Sequence, residues 1–240
     1  MLATDTPLAP RMTDTRSRLS LLPALIGDWF APLAPRGGWS DAGIDRRLLR
    51  SATRGAVPAA LRHWHRLAGD RADLTAQDPP VPLDALEEGG DGFVTFWTES
   101  QAVVSWAYRA EDAGLADPPV WSRWSGSGPG RWEPEHASLS GFLVRVVLQN
   151  VVVASTRASL ACVPASRAGG ASIIGSTSSL GLPPSDWPTG GAEFRCASGT
   201  LVLLCRDEAF VACRSRAAQE AWAGAFPGAE WFHPAAGEAG

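Results

Sequence analysis

An α+β fold, with an antiparallel or mixed sheet flanked by helices, is predicted by three features of this 240-residue chain. VPAALRHWHRLAG has helical spacing: Pro58 opens it, Leu61, Trp64 and Leu67 form one stripe, and Gly69 stops it. FVTFW and AVVSWAY alternate as the strands of a hairpin around TESQ, with Val104, Trp106 and Tyr108 on one face. LSGFLVRVVLQNVVV returns to helical spacing. Its Leu139, Phe142, Leu143, Val146, Val147, Asn150 and Val151 recur at three and four, a stripe expected to pack on the sheet.

In chain order, residues 1–38 are Pro-rich and read as an irregular N-terminal arm. Ser40 offers an N-cap to a helix reaching about Ser51, with Ile44, Leu48 and Ala52 at four-residue spacing. After the second helix, the acidic, Pro-containing run to Gly92 reads as a long loop. The Asp117-Pro118-Pro119 turn leads into a strand near Val120, and GSGPG between Trp124 and Trp132 is a hairpin tip. That tip is not read as a phosphate loop, since no strand-to-helix context follows and Pro129 lacks a backbone donor. Ser138 caps the third long helix. A Gly/Ser-rich connection, Gly169 to Gly191, is expected to reverse at Pro183-Pro184 and Trp187-Pro188. EFRCASGTLVLLCRDEAFVACR reads as three strands, SRAAQEAWAGAF as a helix and AEWF as a last strand.

At 45% hydrophobic content the chain can bury a sizeable core. All 21 basic residues are Arg, which removes Walker A, Schiff-base and lysine-base chemistry together. The eleven Trp are expected mainly in core and rim packing. Net charge is −4 but unevenly spread: from Asp70 to Asp117 eleven acids face two arginines, and the remainder is net basic. Such a block attracts a basic partner and repels nucleic acid. The bland alternative is a solvated face that keeps the protein in solution.

Cys162, Cys196, Cys205 and Cys213 show no CxxC spacing, and no metal site is expected. With turns at Ser198-Gly199 and Asp207-Glu208, Cys196 would face Leu201 and Cys205 would face Phe210, leaving neither a Cys partner. Arg11, Arg16 and Arg18 before LSLLPALIG imitate a signal peptide, but Asp5 and Asp14 dilute the basic region and Pro23 breaks the apolar run. A cytoplasmic protein without membrane association is expected. Catalysis is not: the carboxylate pairs Glu87-Glu88 and Glu111-Asp112 sit in predicted loops where solvent keeps them ordinary, and no GxSxG occurs.

Taken in this order, the early helix, the hairpin with its Asp-Pro-Pro turn and the later helix resemble the SUKH superfamily. This Smi/Knr-like group includes fungal cell-wall-assembly regulators and bacterial immunity proteins. The resemblance runs from about Trp39 to His233. Leu61, Trp64, Leu67 and Gly69 match the family's early helix. Glu99, Gln101, Trp106 and Asp117-Pro118-Pro119-Val120 match its sheet and turn, and Phe142 and Leu143 its later helix. Two departures touch the partner surface: the helix before Pro58 is basic (Arg46, Arg47, Arg50, Arg54), and His65 stands where the family commonly has Tyr.

The resemblance implies a SUKH-like core over 39–165 and an α+β extension over 166–240 packed on it. It also implies no catalytic residue, metal or cofactor, and structural roles for Leu61, Trp64, Gly69, Trp106, Asp117, Pro118 and Pro119. The implied function is protein binding, as an immunity protein against a toxin such as a nuclease. A regulatory or scaffold module of the same fold is the alternative, and a cryptic enzyme the third. The acidic block nominates Asp84, Glu87, Glu88, Asp91 and Glu99 as the surface for a basic toxin domain.

Overall fold

A computed structural model of the chain describes residues 12–30, 38–53, 57–69, 71–125, 130–155, 157–183 and 191–232. Most of the GSGPG tip, Asp70, Arg54, Pro184, Trp187-Pro188 and His233 lie outside the described residues. Among those described, the chain is α+β, with six α-helices and two antiparallel sheets of four and six strands. They fall into two compact units, one within 18–20 and 33–145, the other within 1–17, 21–32 and 146–240. No helix among the described residues is long and apolar enough to cross a membrane.

The first difference from expectation is α1, Thr15–Trp29, in what reads as an irregular arm. Asp14 caps it, its carboxylate accepting the Ser17 amide at 2.9 Å. Leu21, Leu22, Leu25, Ile26 and Trp29 are all buried on it. Five such side chains at about 1.5–3 kcal/mol each outweigh the roughly 3 kcal/mol that an interior proline costs, so the helix runs through Pro23.

In the unit built on 33–145, α2 spans Asp41–Leu48 under a Ser40 cap. It is shorter than expected: Ser51 folds its hydroxyl back onto the Leu48 carbonyl at 3.0 Å, and Ala52 is exposed. Next, α3 spans Ala59–Ala68, with Pro58 at its entrance and Gly69 at φ 50 at its exit. Leu61 and Trp64 are buried, and the Trp64 ring meets Trp97 edge-on at 5.5 Å. His65 is buried and stacks on Trp39 at 5.0 Å, and the Arg47 guanidinium lies 3.9 Å from the centre of the same indole.

The four-stranded sheet is a meander of β1 (Phe93–Thr98), β2 (Val104–Arg109), β3 (Val120–Trp124) and β4 (Glu133–His136). A bulge between Thr95 and Trp97 breaks the alternation, so Phe96 and Trp97 are both buried. Val104, Trp106 and Tyr108 face the core as expected. Trp106 is anchored at both ends: its indole N–H donates to Glu135 at 2.8 Å and its ring lies 5.5 Å from Phe142.

The Asp117-Pro118-Pro119 turn receives the start of α4, Leu139–Ala154. The Asp117 carboxylate accepts the Ser140 amide at 2.7 Å, the Ser140 hydroxyl at 2.6 Å and an Arg18 guanidinium N–H at 3.1 Å. Pro118 is buried and its carbonyl accepts the Leu139 amide, whereas Pro119 is exposed. Ser138 also caps α4, through the Gly141 amide. The expected apolar stripe on α4 is too narrow, because Val144, Arg145, Leu148 and Gln149 are buried as well.

The other sheet has the order β10-β5-β9-β8-β7-β6. Its strands are β5 (Ser159–Pro164), β6 (Ser178–Ser179), β7 (Glu193–Ala197), β8 (Thr200–Leu204), β9 (Glu208–Cys213) and β10 (Glu230–Trp231). Two helices accompany them, α5 (Arg167–Ser176) and α6 (Arg216–Ala225). Val163, Ile173, Val202, Val211 and Trp222 form its core. α5 starts at Arg167 and runs into the stretch 169–191 expected to be an irregular connection, with the Ser166 hydroxyl accepting the Gly169 amide at its start. Cys196 pairs with Leu201 as expected, around Gly199 at φ 66. The β8–β9 turn differs: Leu203 faces Phe210 and Cys205 bonds to Glu208, so the turn residues are Arg206 and Asp207. All four cysteines are free.

Removing the Asp117 carboxylate takes the acceptor from the Ser140 amide and from one Arg18 N–H in a nearly dry site. Asp117→Ala is expected to cost about 3–5 kcal/mol in urea unfolding. A loss below about 1 kcal/mol would show that the turn is ornamental.

Candidate functional site

The acidic segment is built onto the sheet. The Val81 amide donates to the Phe96 carbonyl at 2.9 Å, the Thr98 amide to Pro79 at 3.4 Å and the Gly89 amide to Phe93 at 2.8 Å. Pro80 pairs with Trp97 and Glu88 with Val94, both antiparallel. Residues 79–81 and 88–89 thus pair with the edge of β1 on either side of a 3-10 turn at Leu83–Ala85, where a loop was expected, and Leu74, Leu83 and Leu86 are buried. Because Val81 donates toward β1, neighbours Pro80 and Pro82 occupy the positions whose N–H would point away from the sheet, and neither has one.

The five carboxylates nominated by the sequence fall into four settings. Glu87 and Glu88 are exposed and have no ion-pair partner among the described residues. Asp84 pairs with Arg50 at 3.2 Å, at the surface. Asp91 accepts the Trp132 indole N–H at 2.8 Å, Arg123 at 2.9 Å and the Phe93 amide at 3.3 Å. The Trp132 bond, joined by the Phe93 amide and Arg123, holds its carboxyl below the usual range.

Glu99 corrects the expectation of an outward carboxylate. It is 4% exposed, accepting the Ser100 hydroxyl at 2.9 Å and the Gln101 and Val103 amides at 2.8 and 3.3 Å. Those bonds close the β1–β2 turn, in which Ala102 sits at φ 58. Glu111, from the other pair weighed for catalysis, is exposed and paired with Arg109.

Glu87, Gly89, Gly90, Asp91, Phe93, Arg123 and Trp132 line a groove of about 460 Å³, together with Val81, Ala85 and Thr95. Gly89 allows a close approach, since a Cβ there would meet the Asp91 carboxylate at 2.8 Å. The outward side of the sheet continues the groove as a chain of rings and guanidiniums. Arg109 covers Trp121 at 4.4 Å, Trp121 meets Phe93 at 5.7 Å, Phe93 stacks on Trp132 at 4.9 Å, and Arg123 covers Trp132 at 4.4 Å. Phe93, Arg123 and Trp132 were missed from sequence. The alternation Trp121, Arg123 against Val120, Ser122 carried the signal for an outward face. Nothing in it marked Trp132, which lies before β4 and folds back over the sheet.

Of the residues on which the resemblance rests, Leu61, Trp64, Gly69, Trp106, Asp117 and Pro118 sit in helix, core or turn positions, Pro119 is exposed in the turn, and none lines the groove. Among the described residues there is no cluster of three or more His, Cys, Asp or Glu arranged to hold a metal. Burial pushes the Cys162 and Cys213 thiols up to about 11, so neither is a ready thiolate.

No known protein-family model matches the chain, and no solved structure matches it. Methionine–tRNA ligase of Salinispora tropica is 29% identical over 138 residues. The stretch covers 53% of this chain and 19% of that protein, so the chain spans less than a fifth of its relative's length.

On β4 the His136 side chain is 9% exposed, and its burial together with Arg145 brings the imidazole down to about 3. The Glu135 carboxylate, 3.8 Å away, is too distant to hydrogen-bond it, and its other oxygen holds Trp106. The folded protein therefore keeps His136 neutral, whereas the unfolded chain protonates it near 6.5. Stability is lost as pH falls from about 6.5 toward 3. Between pH 7.5 and 5 the native chain is expected to lose about 2 kcal/mol more than His136→Gln, read from urea midpoints. Parallel losses in the two would show that the imidazole is not held neutral.

Proposed function

We propose that the chain is a non-enzymatic protein-binding module of the SUKH type, an immunity protein that neutralises a toxin with a basic surface, such as a nuclease domain. It acts in the cytoplasm, where its four free cysteines stay reduced. One observation carries the reading: the acidic segment is bonded along β1, leaving Glu87 and Glu88 exposed and unpaired beside a groove walled by Phe93 and Trp132. A rim already ordered in the free protein spares the entropy that a loop would lose on docking. Its charge speeds encounter with a basic partner, and the groove offers a concave surface to bury once contact is made.

The test reverses Glu87 and Glu88 together to Arg, leaving alone Asp84 and Asp91, which hold Arg50 and Arg123. Both reversed positions are exposed, so the thermal melt should stay within a few degrees of the parent. In cells expressing a toxin encoded by a gene adjacent to this chain's own, growth rescue is expected to weaken. The purified pair should associate more slowly, with a flatter salt dependence. Undiminished protection by the variant would reduce the rim to a solvated face.

A further inference from the structure

We infer that this face docks on a second copy of the chain: Leu49 of each copy enters the groove of the other, and Arg46 meets Glu87 and Glu88 across a two-fold axis. The inference goes beyond the immunity role and does not depend on it. Leu49, just past the end of α2, is 85% exposed. A lone exposed leucine is ordinary on a protein surface, so its surroundings decide the matter. Arg46 and Arg50 flank it, one turn of chain apart, and both are exposed. Arg46 has no ion-pair partner among the described residues, whereas the nearby acids Asp41 and Asp45 are taken by Arg66 and Arg62. The end of α2 is thus an apolar knob in a basic collar.

Beside this knob lies a hole of opposite charge. Arg50 reaches Asp84 at 3.2 Å and the Ala52 amide donates to the Leu86 carbonyl at 3.2 Å, which fixes the end of α2 against the turn at Leu83–Ala85. Ala85, from that same turn, lines the groove. With Glu87, Gly89 and Gly90 it forms the exposed part of the lining, and no atom stands within 4 Å of where a Gly90 Cβ would be. Val81 and Ala85 give a leucine apolar contact there, and at about 460 Å³ the groove is far larger than that side chain. A surface that carries a knob and its matching hole side by side is self-complementary. When the knob of one copy enters the hole of the other, the reverse contact forms in the same step, the isologous arrangement of a two-fold dimer. Charge complementarity favours this occupant, because each contact joins an unpaired arginine to unpaired carboxylates and removes a leucine from water. Two such small contacts make a transient dimer rather than an obligate one, and while it lasts the rim at Glu87 and Glu88 is covered.

The test is the mass of the full chain by sedimentation equilibrium in low salt, from micromolar to millimolar protein. The mass is expected to rise from monomer toward dimer with concentration, and to fall back as added salt screens the charges. Leu49→Asp and Arg46→Glu, both exposed changes, should each stay monomeric at concentrations where the parent pairs, with thermal melts within a few degrees of it. The double reversal of Glu87 and Glu88 to Arg should stay monomeric as well. Mixed in equal amounts with Arg46→Glu, it should pair again, because each of the two contacts then joins opposite charges. A monomer at every concentration, a dimer untouched by Leu49→Asp, or a mixture that stays monomeric overturns the inference. Growth rescue keeps the immunity reading separate. A chain that protects cells but never pairs keeps that role and loses the dimer. A chain that pairs but protects against no adjacent toxin keeps the dimer and loses the role.

Discussion

Three consecutive residues, 116–118, terminate two helices at once. The Ala116 carbonyl accepts the Ala60 amide at the start of α3, the Asp117 carboxylate accepts the Ser140 amide, and the Pro118 carbonyl accepts the Leu139 amide at the start of α4. Helix N-termini leave amides without intrahelical acceptors, and here one short turn supplies acceptors to both ends. Arg18 neutralises the carboxylate, which is almost fully buried. With the first turn of α4 so fixed, Phe142 lands among Phe96, Trp97, Trp106 and His136. The same turn starts β3 at Val120, which sets Val120 and Ser122 inward and Trp121 and Arg123 outward. A slip of one residue would exchange those faces and bury the arginine that meets Asp91.

How much of this could be read from residues alone depended on whether the signal was local. Pro58 to Gly69, the β1–β2 hairpin and the C-terminal strands are written in period and punctuation over a few residues, and they stand close to where the pattern puts them. α1 was hidden by Pro23, a local veto overridden by five buried neighbours that only tertiary structure supplies. α5 was hidden by its glycines, and the β8–β9 turn was misplaced because Arg206, Asp207 and Glu208 are equally polar.

The candidate surface shows the same divide. Excess charge located the acidic segment correctly, yet charge cannot tell a carboxylate that faces water from one that closes a turn. Glu99 belongs to the second kind, satisfying two amides and a hydroxyl of the residues that follow it. Asp91 belongs partly to each, holding Trp132 and Arg123 with one oxygen while much of its side chain meets solvent. The aromatic half of the groove comes from β1, β3 and the approach to β4, separate segments that only the meander unites.

Pro80 and Pro82 give the rim a further property. An exposed strand edge invites another chain to add itself by main-chain bonding, and such pairing is tolerant of sequence because every residue carries the same amide. Along 79–89 the donors that would face a newcomer at these two positions are missing, so this border of the sheet cannot readily be copied or extended. A protein that must stay in solution until its partner appears gains from that. What reaches this face has to be distinguished by its side chains, and discrimination is left to the groove beside it.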